Sequence, residues 1–356
     1  MMAKATYNLG TINIYLQSVP LQRANFGNVL LLVDEADGND LDGERYVTYT
    51  NYPAAEDDYD AGFISADTLA KIQAAFSQTV KPKKILVGRV DTGAGTPETY
   101  QAALGLCEDA GADYFGLCID SRTDTVIAAV AGAIETRKKM FWFQSNDSSW
   151  LNSGVPSGFS SITSYSNTFG VYHNDNDQPG DIAALSNQLA YNADNRATQW
   201  SIYTIGVEPY ASLTQTQADA AIANNINLGY EYGTCDFYIP SAKAVNGRNA
   251  YEVLSKHWFD IRLNEDLVQF ELDKALAGEK IEITDDGARQ IQCILEGRIL
   301  KGIQAGHFVG MDQYTSSYTL DTDTKTITFE VSIQSTTGAE SIVFNINVSR
   351  SAVVEE

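Results

Sequence analysis

Residues 255–308 read SKHWFDIRLNEDLVQFELDKALAGEKIEITDDGARQIQCILEGRILKGIQAGHF, and the remaining chain is organised around them. The run opens with Lys256 to Arg262, where Trp258, Phe259 and Ile261 favour an extended segment. Asn264 then fits a helix N-cap, with Glu265 and Asp266 where the positive end of the helix dipole favours carboxylates. Leu267, Val268, Phe270, Leu272 and Leu276 spread around most of the circumference, which predicts a helix buried on more than one side. Gly278 suits its C-terminal stop. A second helix is predicted from Asp285 to Gly306, with Ala288, Ile291, Leu295, Ile299 and Gly302 on one stripe at steps of three and four. Cys293 and Leu300 fall off that stripe and suggest a second contact surface. No reaction chemistry is visible in the stretch.

Downstream, the pattern changes to period two. Ile327, Phe329, Val331 and Ile333 share one face of a strand, and Tyr318 to Leu320 pairs with it across the DTDTK turn. Ile342, Phe344, Ile346 and Val348 alternate in a last strand, Ser341 to Val348. The opposite end mirrors this: Ile12, Ile14 and Leu16 alternate with polar residues until Pro20 ends the run. The chain therefore opens and closes on an amphipathic strand.

Between these ends the sequence reads as α/β. Val29 to Val33 (VLLLV) is continuously apolar, as in a strand covered on both faces. Predicted helices at Ser65 to Gln78, Pro97 to Ala110 and Thr123 to Lys138 lead into strands at Lys84 to Arg89, Tyr114 to Ile119 and Met140 to Gln144. Such repetition implies parallel strands with crossover helices. A second run has strand Thr168 to Tyr172, helices Asp181 to Tyr191 and Gln215 to Asn224, and strand Phe237 to Pro240. Gln144 to Asn167, rich in Ser, Gly and Asn, reads as a long surface loop, and Asp34 to Glu44 as an acidic one.

Three segments carry a resemblance. GEKIEITDDGARQIQ, with the helix closing on GIQAG, resembles the inner domain of tail sheath proteins from contractile-tailed bacteriophages. AFSQTVKPKKILVGRVD, Ala75 to Asp91, is similar to the F-S-Q-x-x-x-P-K-x-x-x-x-G-R segment of the same family, and SLTQTQADAAIANNINLGYEY, Ser212 to Tyr232, resembles its short helix followed by an N-I-N strand entry. The segments fall in family order. The resemblance implies an N-terminal arm over residues 1–24, an outer α/β domain with a mixed sheet over 25–250, and an inner sheath domain of helices and a small sheet over 251–356, with a C-terminal arm over 339–356. It implies a compact sheath subunit that polymerises on itself around a tail tube protein, meets baseplate and tail terminator proteins, and contracts. The setting would be the tail of a virion, after assembly in the host cytoplasm, or a related injection device. It further implies arms donated between subunits, through Ile12, Ile14, Leu16, Ile342, Phe344, Ile346 and Val348, onto the hairpin bearing Ile327, Phe329, Val331 and Ile333. Arg289, Arg298 and Lys301 are the expected tube contacts.

Composition narrows the alternatives. The 356 residues are 44% hydrophobic, enough for one large or two ordinary domains, and the formal net charge is -22. That acidity opposes nucleic acid and anionic membrane surfaces as partners. The opening MMAKATYNLG has no apolar signal region, and no apolar run reaches the ~20 residues a membrane helix requires. Cys107, Cys118, Cys235 and Cys293 are scattered, in segments that read as buried, which suits a reducing compartment. His173, His257 and His307 lack metal-ligand spacing. Gly93 and Gly95 sit where a dinucleotide loop would, but Glu98 stands in place of the third glycine and would repel a pyrophosphate. HNDND, His173 to Asp177, reads as an Asn/Asp turn. The sequence thus implies no cofactor and no metal. The rival reading is an α/β enzyme dependent on a nucleotide or a metal.

Overall fold

The computed structural model describes residues 23–35, 40–93, 95–154, 157–197, 200, 202–204, 206–208, 213–232, 235–239, 241–336 and 341–349. The first arm, with Ile12, Ile14 and Leu16, lies outside the described residues.

The elements in chain order are β1 (Asn28–Asp34), β2 (Tyr46–Tyr49), α1 (Tyr52–Asp60), α2 (Ala66–Phe76), β3 (Lys84–Val90), α3 (Tyr100–Asp109), β4 (Gly116–Ile119), α4 (Asp124–Glu135), β5 (Met140–Ser145), β6 (Thr168–Tyr172) and α5 (Gly180–Leu189). After these come β7 (Ile202–Thr204), α6 (Gln215–Ala223), β8 (Asn227–Leu228), β9 (Tyr230–Tyr232), β10 (Cys235–Ile239), α7 (Ala250–Leu276), α8 (Asp285–Ala305), β11 (Thr315–Asp321), β12 (Thr326–Gln334) and β13 (Ser341–Ser349). The main sheet runs β2-β3-β1-β4-β5-β6-β8. All its neighbours are parallel except β2, which pairs antiparallel with β3 and makes the sheet mixed.

β1 explains why a continuous apolar run belongs at the centre. Its side chains alternate between faces: Leu30 and Leu32 join a core with Leu104, Cys107, Ile127 and Val130 of α3 and α4. Val29, Leu31 and Val33 join the core that contains Ile72 and Phe76 of α2 and Ile182 and Leu185 of α5. All ten residues of α5 are buried. Its Asp181 is ion-paired with Arg122 at 2.5 Å, so a buried carboxylate keeps a partner.

Several expectations need correcting. Residues 256–262 are not extended and Asn264 is not a cap: α7 is one helix of 27 residues that begins after Asn249. Its buried positions Val253, Leu254, His257, Trp258, Arg262, Leu263 and Leu267 recur at steps of three and four, a period that outweighs the strand preference of the aromatics. Asn264 instead donates back to the Asp260 carbonyl at 2.8 Å. The second half of α7 is not buried all round either, since Val268, Leu272 and Leu276 are exposed. Residues 144–167 are more than a surface loop: Trp150, Leu151, Phe159 and Ile162 are buried, and Phe159 stacks on Phe143 at 5.5 Å. Cys107 and Cys118 are buried, but Cys293 is exposed.

The link between α7 and α8 follows the sequence closely. Thr284 caps α8 by accepting from Gly287 N at 3.3 Å, and Asp285 and Asp286 fill the first turn. A Cβ on Gly287 would stand 1.9 Å from the Glu282 carbonyl oxygen, so only glycine fits. The stripe Ala288, Ile291, Leu295, Ile299 and Gly302 is buried. Gly306 ends α8 at φ 87°, in the left-handed region.

Candidate functional site

β11, β12 and β13 form a separate antiparallel sheet in that order. Ile327, Phe329, Val331 and Ile333 are buried in the same core as Leu263, Leu267, Ile291 and Leu295 of the two long helices. Thr328, Ser332 and Glu330 face outward, so the alternation read from the sequence is the one the sheet uses. In the single chain β13 pairs with β12 of its own subunit. The register sets Val348 opposite Ile327, Ile346 opposite Phe329, Phe344 opposite Val331 and Ile342 opposite Ile333. On the far side β11 carries no further strand among the described residues, which leaves its edge open.

One guanidinium ties this end of the molecule together. Arg262, in the middle of α7, is 3% exposed. It donates to both oxygens of Asp194 at 2.7 and 2.8 Å, to Glu265 at 2.7 Å and to the Ala24 carbonyl at 3.0 Å, and it lies over the Phe26 ring at 4.9 Å. Trp258 donates its indole N–H to the same Asp194 at 2.8 Å. Burial works against the Asp194 carboxylate, yet hydrogen bonds from Arg262 and Trp258, with the charges of Arg262 and Arg298, hold its pKa below the usual range. The chain before β1, the loop after α5 and helix α7 thus meet on one side chain. Hydrophobic periodicity cannot show such a contact. The only sequence sign was an arginine inside an apolar helical stripe.

The three cations expected at a tube separate. Arg289 and Lys301 are exposed on α8. Arg298 is not available: it is 2% exposed, donates to Asp266 at 2.8 Å and lies 5.5 Å over the Trp258 ring. Its place on the buried side of α8, one residue before Ile299, removes it from the contact list.

The positions of candidate chemistry are engaged by other parts of the chain. The Glu98 carboxylate receives Arg45 at 2.9 and 3.0 Å and the Asp91 N–H at 3.2 Å, across the mouth where a phosphate would enter. His173 Nε2 reaches the Glu208 carbonyl at 2.9 Å, and Asp177 N–H closes an Asx turn on Asp175. His257 meets Asn167 Oδ1 at 2.9 Å. His307 stacks on Trp258 and sits between Ser255 Oγ and the Ala193 carbonyl. Burial lowers the pKa of both His257 and His307. Among the described residues no group of three or more His, Cys, Asp or Glu side chains is placed to hold a metal ion, and no helix is long and apolar enough to cross a membrane.

No family model and no curated protein matches the sequence. Solved structures do match, from end to end. A sheath tail protein of Desulfitobacterium hafniense is 11% identical with a TM-score of 0.64, over 96% of this chain and 100% of that one. A sheath tail protein of Listeria innocua is 9% identical at TM-score 0.63, over 92% and 96%. A chain of the contracted helical sheath of the anti-feeding prophage is 12% identical at 0.60, over 96% and 99%. The chain has the tail-sheath fold. Within that fold the α/β body carries the mixed sheet, and the two long helices with their three-stranded sheet form the other end.

Proposed function

We propose that this chain is the structural subunit of a contractile sheath, which polymerises helically around a tail tube and shortens to drive it through a host envelope. The observation that carries the reading is the end-to-end match to sheath tail proteins, including one in a contracted helical sheath. The partners are other copies of the chain, a tail tube protein, and baseplate and terminator proteins at the two ends. Its place is the tail of a phage or of a phage-like particle, and a match in the anti-feeding prophage baseplate suits either. Residues 1–24 and 251–356 form the inner part and 25–250 the outer part. No cofactor and no catalysis are involved.

The terminal strands supply the linkage. β13 makes a nine-residue ladder with β12. The same ladder formed on the β12 of a neighbour exchanges equal main-chain hydrogen bonds, so moving the strand between subunits costs little. In that lattice Ile342, Phe344, Ile346 and Val348 come from one subunit and Ile327, Phe329, Val331 and Ile333 from the next. The arm with Ile12, Ile14 and Leu16 adds at the open edge of β11. Arg289 and Lys301 are the tube-facing cations. Energy is stored in a metastable lattice at assembly and released as interfaces repack.

Negative-stain microscopy of the purified protein tests the reading. Long hollow tubes are expected at high concentration. A chain truncated after Gly338 should stay folded and fail to form them. Full-length protein that remains monomeric at every concentration, alone and with a tube protein, would overturn the proposal.

A further inference from the structure

The charge of the α/β body is sorted by the direction of its sheet. β1, β3, β4, β5 and β6 run parallel, so their C-terminal ends share one edge of the body and their N-terminal ends the other. Asp34 closes β1, and Asp91 and Asp120 directly follow β3 and β4. Beside that end of β3, where Arg89 N donates to the Arg45 carbonyl at 3.0 Å, the exposed Asp40, Asp42 and Glu44 lead into β2. These three carboxylates have no cationic partner among the described residues.

The opposite end of the same strand is basic. Lys81, Lys83 and Lys84 lead into β3 and are all exposed, while Pro82 between them is buried and holds the turn against the body. Other cations on this edge are already engaged: ahead of β5, Arg137 pairs with Glu108 at 2.9 Å and Lys138 with Asp260 at 2.6 Å. Lys81, Lys83 and Lys84 have no acidic partner among the described residues. β3 is seven residues long, ~20 Å from end to end, so these lysines are out of range of Asp40, Asp42 and Glu44 in their own chain.

Copies of a chain with a formal net charge of -22 repel one another, so a contact between them needs local charges of the other sign. The two ends of β3 supply them. Stacking one body on the next along the strand direction brings free lysines onto free carboxylates and leaves the same two faces open at the ends of the pair. We propose that Lys81, Lys83 and Lys84 of one copy receive Asp40, Asp42 and Glu44 of a second copy, in a head-to-tail contact that repeats along the polymer. Such a contact does not close on itself and builds an open helix. It rests on the self-assembly proposed above and adds a link separate from the terminal strands. Exposed ion pairs are individually weak, so the contact sets the polarity and register of stacking and is screened by salt.

Charge reversal and zero-length crosslinking of the full-length chain test it. Carbodiimide treatment of tubes assembled from isotope-labelled and unlabelled chains should join Lys83 or Lys84 to Asp42 or Glu44 in pairs of mixed isotope, read by mass spectrometry. Lys83→Glu with Lys84→Glu should raise the critical concentration for tubes ~10-fold, and Asp42→Lys with Glu44→Lys should do the same. Both variants should melt with the wild type, because the changed side chains are exposed. An equal mixture of the two variants should assemble near the wild-type concentration, since each reversed face then meets its complement on the other chain. Tubes whose crosslinks from Lys83 and Lys84 run only to other carboxylates would overturn this proposal alone. So would variants that assemble at the wild-type concentration, or a mixture that is not rescued. Wild-type protein that never self-associates would overturn both this contact and the sheath reading.

Discussion

Replacing Arg262 with Met probes the junction where the chain before β1, the loop after α5 and α7 converge. Methionine keeps much of the aliphatic stem, so packing against Phe26 largely survives, and the change removes mainly the charge and its donors. Left behind are Asp194, Glu265 and the Ala24 carbonyl, each satisfied by that guanidinium. Removing one partner of a buried pair costs ~3–5 kcal/mol. The Asp194 side chain is 35% exposed and can recover water, which places the expected loss near the lower end, ~3 kcal/mol. Urea unfolding followed by tryptophan fluorescence reads this directly, because Trp258 shares Asp194 with the arginine. Arg262→Met combined with Asp194→Asn should lose less than the sum of the single changes, by ~0.5–3 kcal/mol. The Asp194 pKa is depressed in the folded state. Its contribution is therefore present above the unfolded carboxylate pKa and disappears as pH falls, and Arg262→Met should flatten that acid limb. A variant whose midpoint matches the wild type, with the acid limb intact, would refute the idea that this side chain joins the parts.

Ile291→Ala, at a site 2% exposed, should lose ~2–5 kcal/mol, whereas Phe270→Ala, half-buried over the same core, should lose ~1–2 kcal/mol by chemical denaturation. Gly287→Ala forces a Cβ onto the Glu282 carbonyl and should cost ~1–3 kcal/mol, read as an earlier melt. His257, buried and facing Lys256 and Lys138, has its pKa lowered to about 3. The unfolded chain takes up that proton first, near ~6.5. Stability is therefore full above that value and falls toward acid, by ~2 kcal/mol at pH 5, and His257→Gln should reduce the slope between pH 7 and 5. Nucleotides with Mg²⁺ should leave the melting temperature unmoved, because the Glu98 carboxylate beside β3 opposes a phosphate and already holds Arg45.

What the sequence made legible was periodic. VLLLV announced a central strand because both faces of β1 are covered, and Ile327 to Ile333 announced a one-sided strand because only one face of β12 is. The α8 stripe was readable for the same reason. Errors arose where two periods compete or where a partner is distant. Trp258 and Phe259 favour strands locally, but Val253, Leu254, His257 and Arg262 impose the helical step, and burial decides. Residues 144–167 looked like surface because Ser, Gly and Asn outnumber the Trp150, Phe159 and Ile162 that anchor them. The residues proposed for assembly were legible only as patterns. Arg298 had the right charge and the wrong face, which its position before Ile299 on the stripe should have revealed. Arg262 and Asp194 lie 68 residues apart, and no local pattern connects them.

These two kinds of contact have different mechanical consequences. A guanidinium that bridges two carboxylates and a carbonyl is stable in one geometry: rotating the body around it would strand a buried charge, at several kcal/mol. A β ladder offers no such resistance to a change of partner, since the main-chain bonds made on one subunit are those made on the next. If the chain works as the proposed contractile subunit, movement concentrates at the terminal strands while the body and the long helices turn as one piece. Loosening the junction with Arg262→Met should consequently lower the force or temperature at which an extended sheath shortens. Contraction triggered by heating extended tubes, followed by microscopy, measures this. Tubes of the variant that contract at the wild-type temperature would show that the junction bears no load in the transition.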